Sequence, residues 1–166
     1  MNAGDSDEEE TAYHECGHVY LAHLLGARVL GVTIEPDRDD GPARYGDASI
    51  LWPARRWSTR DLNLRCVRVA LAGPVAEMIH RGEPLHPGFV PEWSQDWRVA
   101  WEYAGQLVAD ERARIRFLED TIRQLHAMLR QDAHWHRLAC IVDHLLAHET
   151  LDEEQLAEIL EEESEE

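Results

Sequence analysis

The chain contains no lysine; all sixteen of its basic residues are arginine. That removes Schiff-base lysine chemistry, the phosphate-binding lysine of a P-loop and a Ser-Lys dyad, so an ordinary Walker-type ATPase is excluded. Cysteine is scarce as well. Cys16, Cys66 and Cys140 are odd in number and widely spaced, with no C-x-x-C. Neither a zinc ribbon nor a disulfide framework is indicated, and a reducing compartment fits. No run of eighteen apolar residues and no basic-then-apolar leader occurs, so no membrane span and no export signal are expected and a soluble cytoplasmic protein is the default. Positive charge is also in short supply. Thirty-three acidic residues against sixteen basic ones give a net charge of −17, whereas a nucleic-acid surface needs a basic stripe. Neither nucleic acid nor a membrane is an expected partner.

What is present suits one domain. A length of 166 residues and a hydrophobic content of 44% allow a single real core. Much of the negative charge lies at the two ends, so residues 1–7 and 162–166 are expected to be solvated, disordered tails.

Residues 11–25, TAYHECGHVYLAHLL, are apolar nearly all round and read as a buried helix. Within them His14, Glu15 and His18 form H-E-x-x-H. Positions i and i+4 share a helix face, so His14 and His18 can hold one metal ion between them. Glu15 sits about 100° further round, placed to reach a water on that metal rather than to bind it. Two ligands and a general base are the parts of a zinc hydrolase. A third protein ligand is then required, and three residues compete for the role. Cys16 is soft enough, but two residues turn a helix by about 200°, which points its sulfur into the core. Glu77 lies on a second apolar helix, where a buried carboxylate needs a partner. It can reach the metal or accept the ring N–H of a ligand histidine. Asp96 lies in the first turn of a third helix, where a carboxylate also simply favours the helix dipole.

Ser6 or Asp7 is the expected cap of the first helix, and Gly26 its stop. Residues 28–35 and 47–52 are short and rich in β-branched or apolar side chains, and Pro36 and Pro53 end them. They read as two strands of a small antiparallel sheet joined by a loop over 37–46. Ser58 opens a helix that Gly73-Pro74 is expected to kink or restart and that Gly82 stops. Residues 83–93, with three prolines, form a loop. Ser94 is expected to cap a helix over 94–109, followed by amphipathic helices over 112–130 and 132–147. A short helix over 153–160, capped by Thr150 or Asp152, closes the chain. The fold class is therefore mainly α, with a small sheet or hairpin beside the H-E-x-x-H helix. His144 and His148 are also spaced i, i+4, and His134 and His136 flank Trp135. A second metal site there competes with plain surface histidines.

Several stretches, in order, resemble the FtsH-type peptidase domain, the zinc protease half of membrane-bound AAA proteases. TAYHECGH is similar to that family's TAYHEAGH helix, VLGVTIEP to its VTIIP strand and LAGPVAEMI to its GGRAAEE helix. SQDWRVAWEYA is similar to its ASNDL helix, and ETLDEEQLAEIL to its closing helix. The match covers about residues 11–160. It implies a zinc metalloendopeptidase with His14, His18 and Asp96 as metal ligands and Glu15 as catalytic base. Glu77 would then hold a ligand histidine, and Val32, Thr33 and Ile34 would edge the substrate cleft. It also implies a helical metallopeptidase fold and a homo-oligomer or a separate ATPase partner. The family's ATPase module and membrane helices are not in this chain. Position 16 is Cys where the family has a small residue, and Pro74 replaces an Arg. The expected activity is ATP-independent cleavage of peptides or unfolded proteins. The alternative is a catalytically silent, peptidase-like binding or regulatory module.

Overall fold

A computed structural model describes residues 3–35 and 47–162. The expected loop over 37–46 and the outermost parts of both expected tails lie outside the described residues. Six helices and a three-stranded antiparallel sheet make up the described chain, so the protein is mainly α with a small sheet. None of these helices is long and apolar enough to cross a membrane.

Helix α1 spans Ala3–Leu24. It starts before Ser6 and Asp7, which lie inside it and do not cap it. Its acidic opening turns sit at the positive end of the helix dipole. Glu9 and Glu10 also face His80 and Arg81 at 3.9 and 4.0 Å. Residues 3–7 are therefore helical, where the charge run alone suggested a tail. Gly26, at φ 93°, ends the helix as expected, and the Ala27 N–H reaches back to the Ala22 carbonyl.

Strands β1 (Arg28–Thr33) and β2 (Asp47–Leu51) pair antiparallel with a bulge between Val29 and Gly31. A third strand, β3 (Thr150–Asp152), pairs with the other side of β1, giving the order β2-β1-β3. β1 is thus the middle strand, so Val32, Thr33 and Ile34, expected to edge the substrate cleft, do not offer a sheet edge to which a peptide strand could add. Val32 pairs with both Ala48 and Leu151, and Thr33 with both Asp47 and Thr150. The Ile34 N–H is taken by the Glu149 carbonyl. Over Gly31–Thr33, β1 has neighbours on both sides, which leaves no edge there for a further strand. β3 is three residues long, and only its pairing with β1 distinguishes it from a helix cap.

Helix α2 spans Thr59–Arg81, is capped by Ser58 and ends at Gly82 in the left-handed region. It runs through Pro74 without a break, although proline removes one backbone bond. Two short 3-10 turns, Pro87–Phe89 and Pro91–Trp93, lead into α3 (Ser94–Gly105). Trp93, not Ser94, occupies the capping position, because the preceding turn runs straight into the helix. Helices α4 (Glu111–Leu129), α5 (Asp132–His148) and α6 (Glu153–Glu162) follow. Asp110 caps α4 through the Ala113 N–H. Asp152 and Gln155 satisfy each other's N–H at the start of α6.

The core lies between α1, α2, α4, α5 and the inner face of the sheet, where Val19, Leu71, Leu118, Leu138, Leu145 and Leu151 are buried. α1 and α2 approach very closely. A Cβ added to Gly17 would meet the Ala72 carbonyl oxygen at 2.5 Å and the Ala76 Cβ at 2.7 Å. Backbone on the facing helix cannot swing aside as a side-chain tip can. Gly17→Ala is therefore expected to destabilise by about 2 kcal/mol, overpacking outweighing the gain of about 1 kcal/mol in helix propensity. Gly4 of the same helix has nothing within 4 Å, and Gly4→Ala should raise stability slightly. Thermal melts of the two variants should move in opposite directions.

Candidate metal and catalytic site

The close approach of α1 and α2 puts both histidines of the motif against α2. His18 is buried and lies over Gly73, where an added Cβ would fall 2.2 Å from its Nε2. Its Nδ1 donates to the Val69 carbonyl at 2.7 Å. His14 Nδ1 faces Glu77 Oε2 at 2.9 Å. Both outer ring nitrogens thus face acceptors, so each carries the proton and leaves Nε2 with a free lone pair in the neutral ring.

Those two Nε2 atoms converge, 3.2 Å apart. Asp96 brings its carboxylate to the same point from the first turn of α3, with Oδ2 at 2.8 Å from His14 Nε2 and Oδ1 at 3.4 Å from His18 Nε2. Among the described residues these three form the one group able to hold a metal, their ligand atoms lying within 4.8 Å of one another. Atoms around a tetrahedral zinc lie about 3.3 Å apart, given bonds of about 2.0–2.1 Å, so the spacing suits that ion. The chemistry of the set also fits: two imidazole lone pairs and a carboxylate face one another, which is stable only with protons or a cation between them.

Charge follows the same logic. Burial opposes a charge on His14, but Asp96 and Glu77 outweigh it and push its pKa up to about 10. Burial likewise opposes charge on His18, and Asp96 raises it overall. Asp96, despite burial, is held well below the usual carboxylate range by His18 and His14. Without a metal the site takes up protons.

Glu77 is buried and tightly held. Besides His14 it accepts the indole N–H of Trp93 at 2.6 Å, and the Arg81 guanidinium lies 3.5 Å from its other oxygen. Burial works to raise its pKa, but these partners, His14 foremost, lower it overall and keep it ionised. Glu77 is thus a support for His14 and not a member of the converging set. Glu15, one residue on from His14, is half-buried. Burial is the main reason that its pKa is raised, His18 and His14 oppose this, and Asp96 and Asp47 add to it. Cys16 is fully buried in the core, where burial and then Glu15 push its thiol well up. It is inert there and distant from any ligand role. His144 and His148 stack with ring centroids 6.5 Å apart but gather no third ligand among the described residues. His134 instead pairs with the Tyr20 hydroxyl at 2.6 Å.

Sequence reasoning missed Trp93, the Val69 carbonyl and the spacer role of Gly73. Trp93 has one visible signal, an indole at the end of a proline-rich loop beside a buried helix. A carbonyl on a neighbouring helix has none. The chain matches no protein-family model and no characterised protein.

Two outcomes follow from this geometry. Zinc needs the His14 lone pair, which a proton occupies at pH 7 because the pKa is about 10. Zinc uptake should therefore release at least one proton per chain, and apparent affinity should tighten about tenfold for each pH unit up to that pKa. Calorimetry in buffers of different ionisation enthalpy counts those protons, and no release would contradict the site. Among single variants, Asp96→Ala should lose zinc outright. Glu77→Ala, which removes the acceptor of His14 and no member of the converging set, should weaken it by about 10–100-fold. Measured zinc affinities separate the two roles, and the reverse order would exchange them.

Proposed function

We propose that the chain is a zinc-dependent endopeptidase acting on peptides and unfolded proteins. The resemblance to FtsH-type peptidase domains points the same way. The observation that carries the reading is the convergence of His14 Nε2, His18 Nε2 and the Asp96 carboxylate, with Glu15 on the adjacent turn position. His14, His18 and Asp96 would hold a zinc ion, which would supply Lewis-acid polarisation of a peptide carbonyl and a water of lowered pKa.

With the ion bound, Glu15 would take a proton from a water as its oxygen bonds to the peptide carbonyl carbon, and would give that proton to the amine nitrogen as the C–N bond breaks. Its raised pKa suits both halves of the transfer. His14 is kept in one ring orientation by Glu77, which Trp93 and Arg81 in turn hold in place. His18 is fixed by the Val69 carbonyl. These contacts set the ring planes before substrate arrives, so little reorganisation is needed.

Substrate placement moves one strand outwards from the position expected for β1. Among the described residues no strand covers the outer edge of β2. A peptide added there makes main-chain hydrogen bonds that any sequence can supply, which suits broad specificity. A segment must be extended and free on both sides to lie along β2 and enter the site, which suits peptides and unfolded chains. With no lysine to hold a nucleotide phosphate, these residues do not use ATP themselves. A homo-oligomer or a separate ATPase is the partner that would extend the range to folded substrates.

Casein or a quenched fluorogenic peptide, with and without a chelator, tests the reading. Cleavage should need zinc and ignore ATP. Glu15→Gln should retain zinc while losing about 10²–10⁴-fold in rate, the usual contribution of a general base. Cleavage that persists in Glu15→Gln, or in chelator, would remove the proposal.

A further inference from the structure

The outer face of the β1–β2 hairpin has a chemical polarity. Along β2, Asp47, Ser49 and Leu51 are exposed, while Ala48 and Ile50 turn inwards and pack against the core. Leu51 is 47% exposed, and Leu30, the extra residue of the β1 bulge, is 41% exposed. One end of the hairpin therefore presents apolar side chains to water. The other end begins with Asp47, close enough to the site for its charge to be felt at Glu15. Arg81, the guanidinium beside the site, already faces Glu77 and Glu10.

An added strand would read this polarity in a fixed register. The whole sheet is antiparallel, and antiparallel partners directly opposite each other place their side chains on one face, Cβ atoms about 5 Å apart. Running antiparallel to β2, a peptide meets Leu51 first and Asp47 four residues later. Its inward-facing residues lie opposite Ala48 and Ile50.

We propose that the chain selects peptide segments in which an apolar residue is followed four positions later by lysine or arginine. The apolar side chain packs beside Leu51 and the cation pairs with Asp47. This rests on the peptidase reading for the location of the substrate and adds the class of sequence that is preferred. Opposite charges across a strand pair are favourable and like charges unfavourable. The net charge of −17 also draws cationic chains towards the protein.

The test uses short labelled peptides of three kinds: Leu-x-x-x-Lys, Leu-x-x-x-Glu and the reversed Lys-x-x-x-Leu. Binding is read by fluorescence anisotropy on zinc-loaded Glu15→Gln protein, and kcat/KM on the parent. At low salt the Leu-x-x-x-Lys peptide should bind about fivefold tighter than either of the others, the scale of a cross-strand charge pair. The preference should shrink in 1 M salt. Asp47→Asn should abolish it and Asp47→Arg should reverse it in favour of Leu-x-x-x-Glu; as Asp47 is exposed, neither change disturbs the core. Equal binding of the three peptides, or a preference that survives Asp47→Arg, overturns the proposal. Binding that discriminates without any cleavage by the parent protein defeats the peptidase reading and upholds the surface. Cleavage of all three at equal kcat/KM does the opposite.

Discussion

The contact between α1 and α2 is the constraint on which the rest depends. Gly17 lets the α2 backbone come within reach of α1, and Gly73 leaves room for the His18 imidazole against α2. A larger residue at either point would push the helices apart. The histidines would then lose Val69 and Glu77, the two acceptors that fix their tautomers. A packing requirement and a chemical requirement meet in the same two glycines. Close-packed interiors do not absorb such a displacement elsewhere.

From that contact a chain of polar groups runs through the buried part of the molecule. Trp93 donates to Glu77, Glu77 holds His14, and His14 meets Asp96. Each group alone would be costly to bury, and together they satisfy one another. The chain also ties three separate segments together: α1, α2 and the proline-rich turns that enter α3. It also gives a segment with three prolines and a glycine a buried anchor. Its last residue, Trp93, is among the largest fully buried side chains, and it carries α3, and with it Asp96, to the histidines.

The sheet shows how far a pattern of residues can be read and where it stops. Both longer strands were legible from their β-branched and apolar residues and from the prolines that follow them. Their order was not. β3 is three residues long, and its sequence serves equally well as a helix start, since Asp152 does cap α6. Its pairing with β1 turns Val32 and Thr33 from edge into centre and passes the free edge to β2. The opening of α1 shows the same limit. An acidic run reads as a solvated end, yet Glu9 and Glu10 lie across from His80 and Arg81, about seventy residues away in the chain.

By itself the sequence determined which face of the first helix each motif residue occupies, though not where every helix begins: Ser6, Asp7 and Ser94 do not cap the helices they lie in. The helix period put His14 and His18 on one face, turned Glu15 aside and sent Cys16 into the core. Glycines at 26 and 82 stopped two helices because only a residue without a Cβ takes the left-handed conformation cheaply. The absence of lysine ruled out whole classes of chemistry. Tertiary structure decided the rest, because those questions concern residues distant in sequence. It brought Asp96 to the histidines and assigned Glu77 to the outer nitrogen of His14, where it also accepts Trp93. Spacing along the chain says which face a side chain occupies; only the packing of one face against another says what that side chain meets.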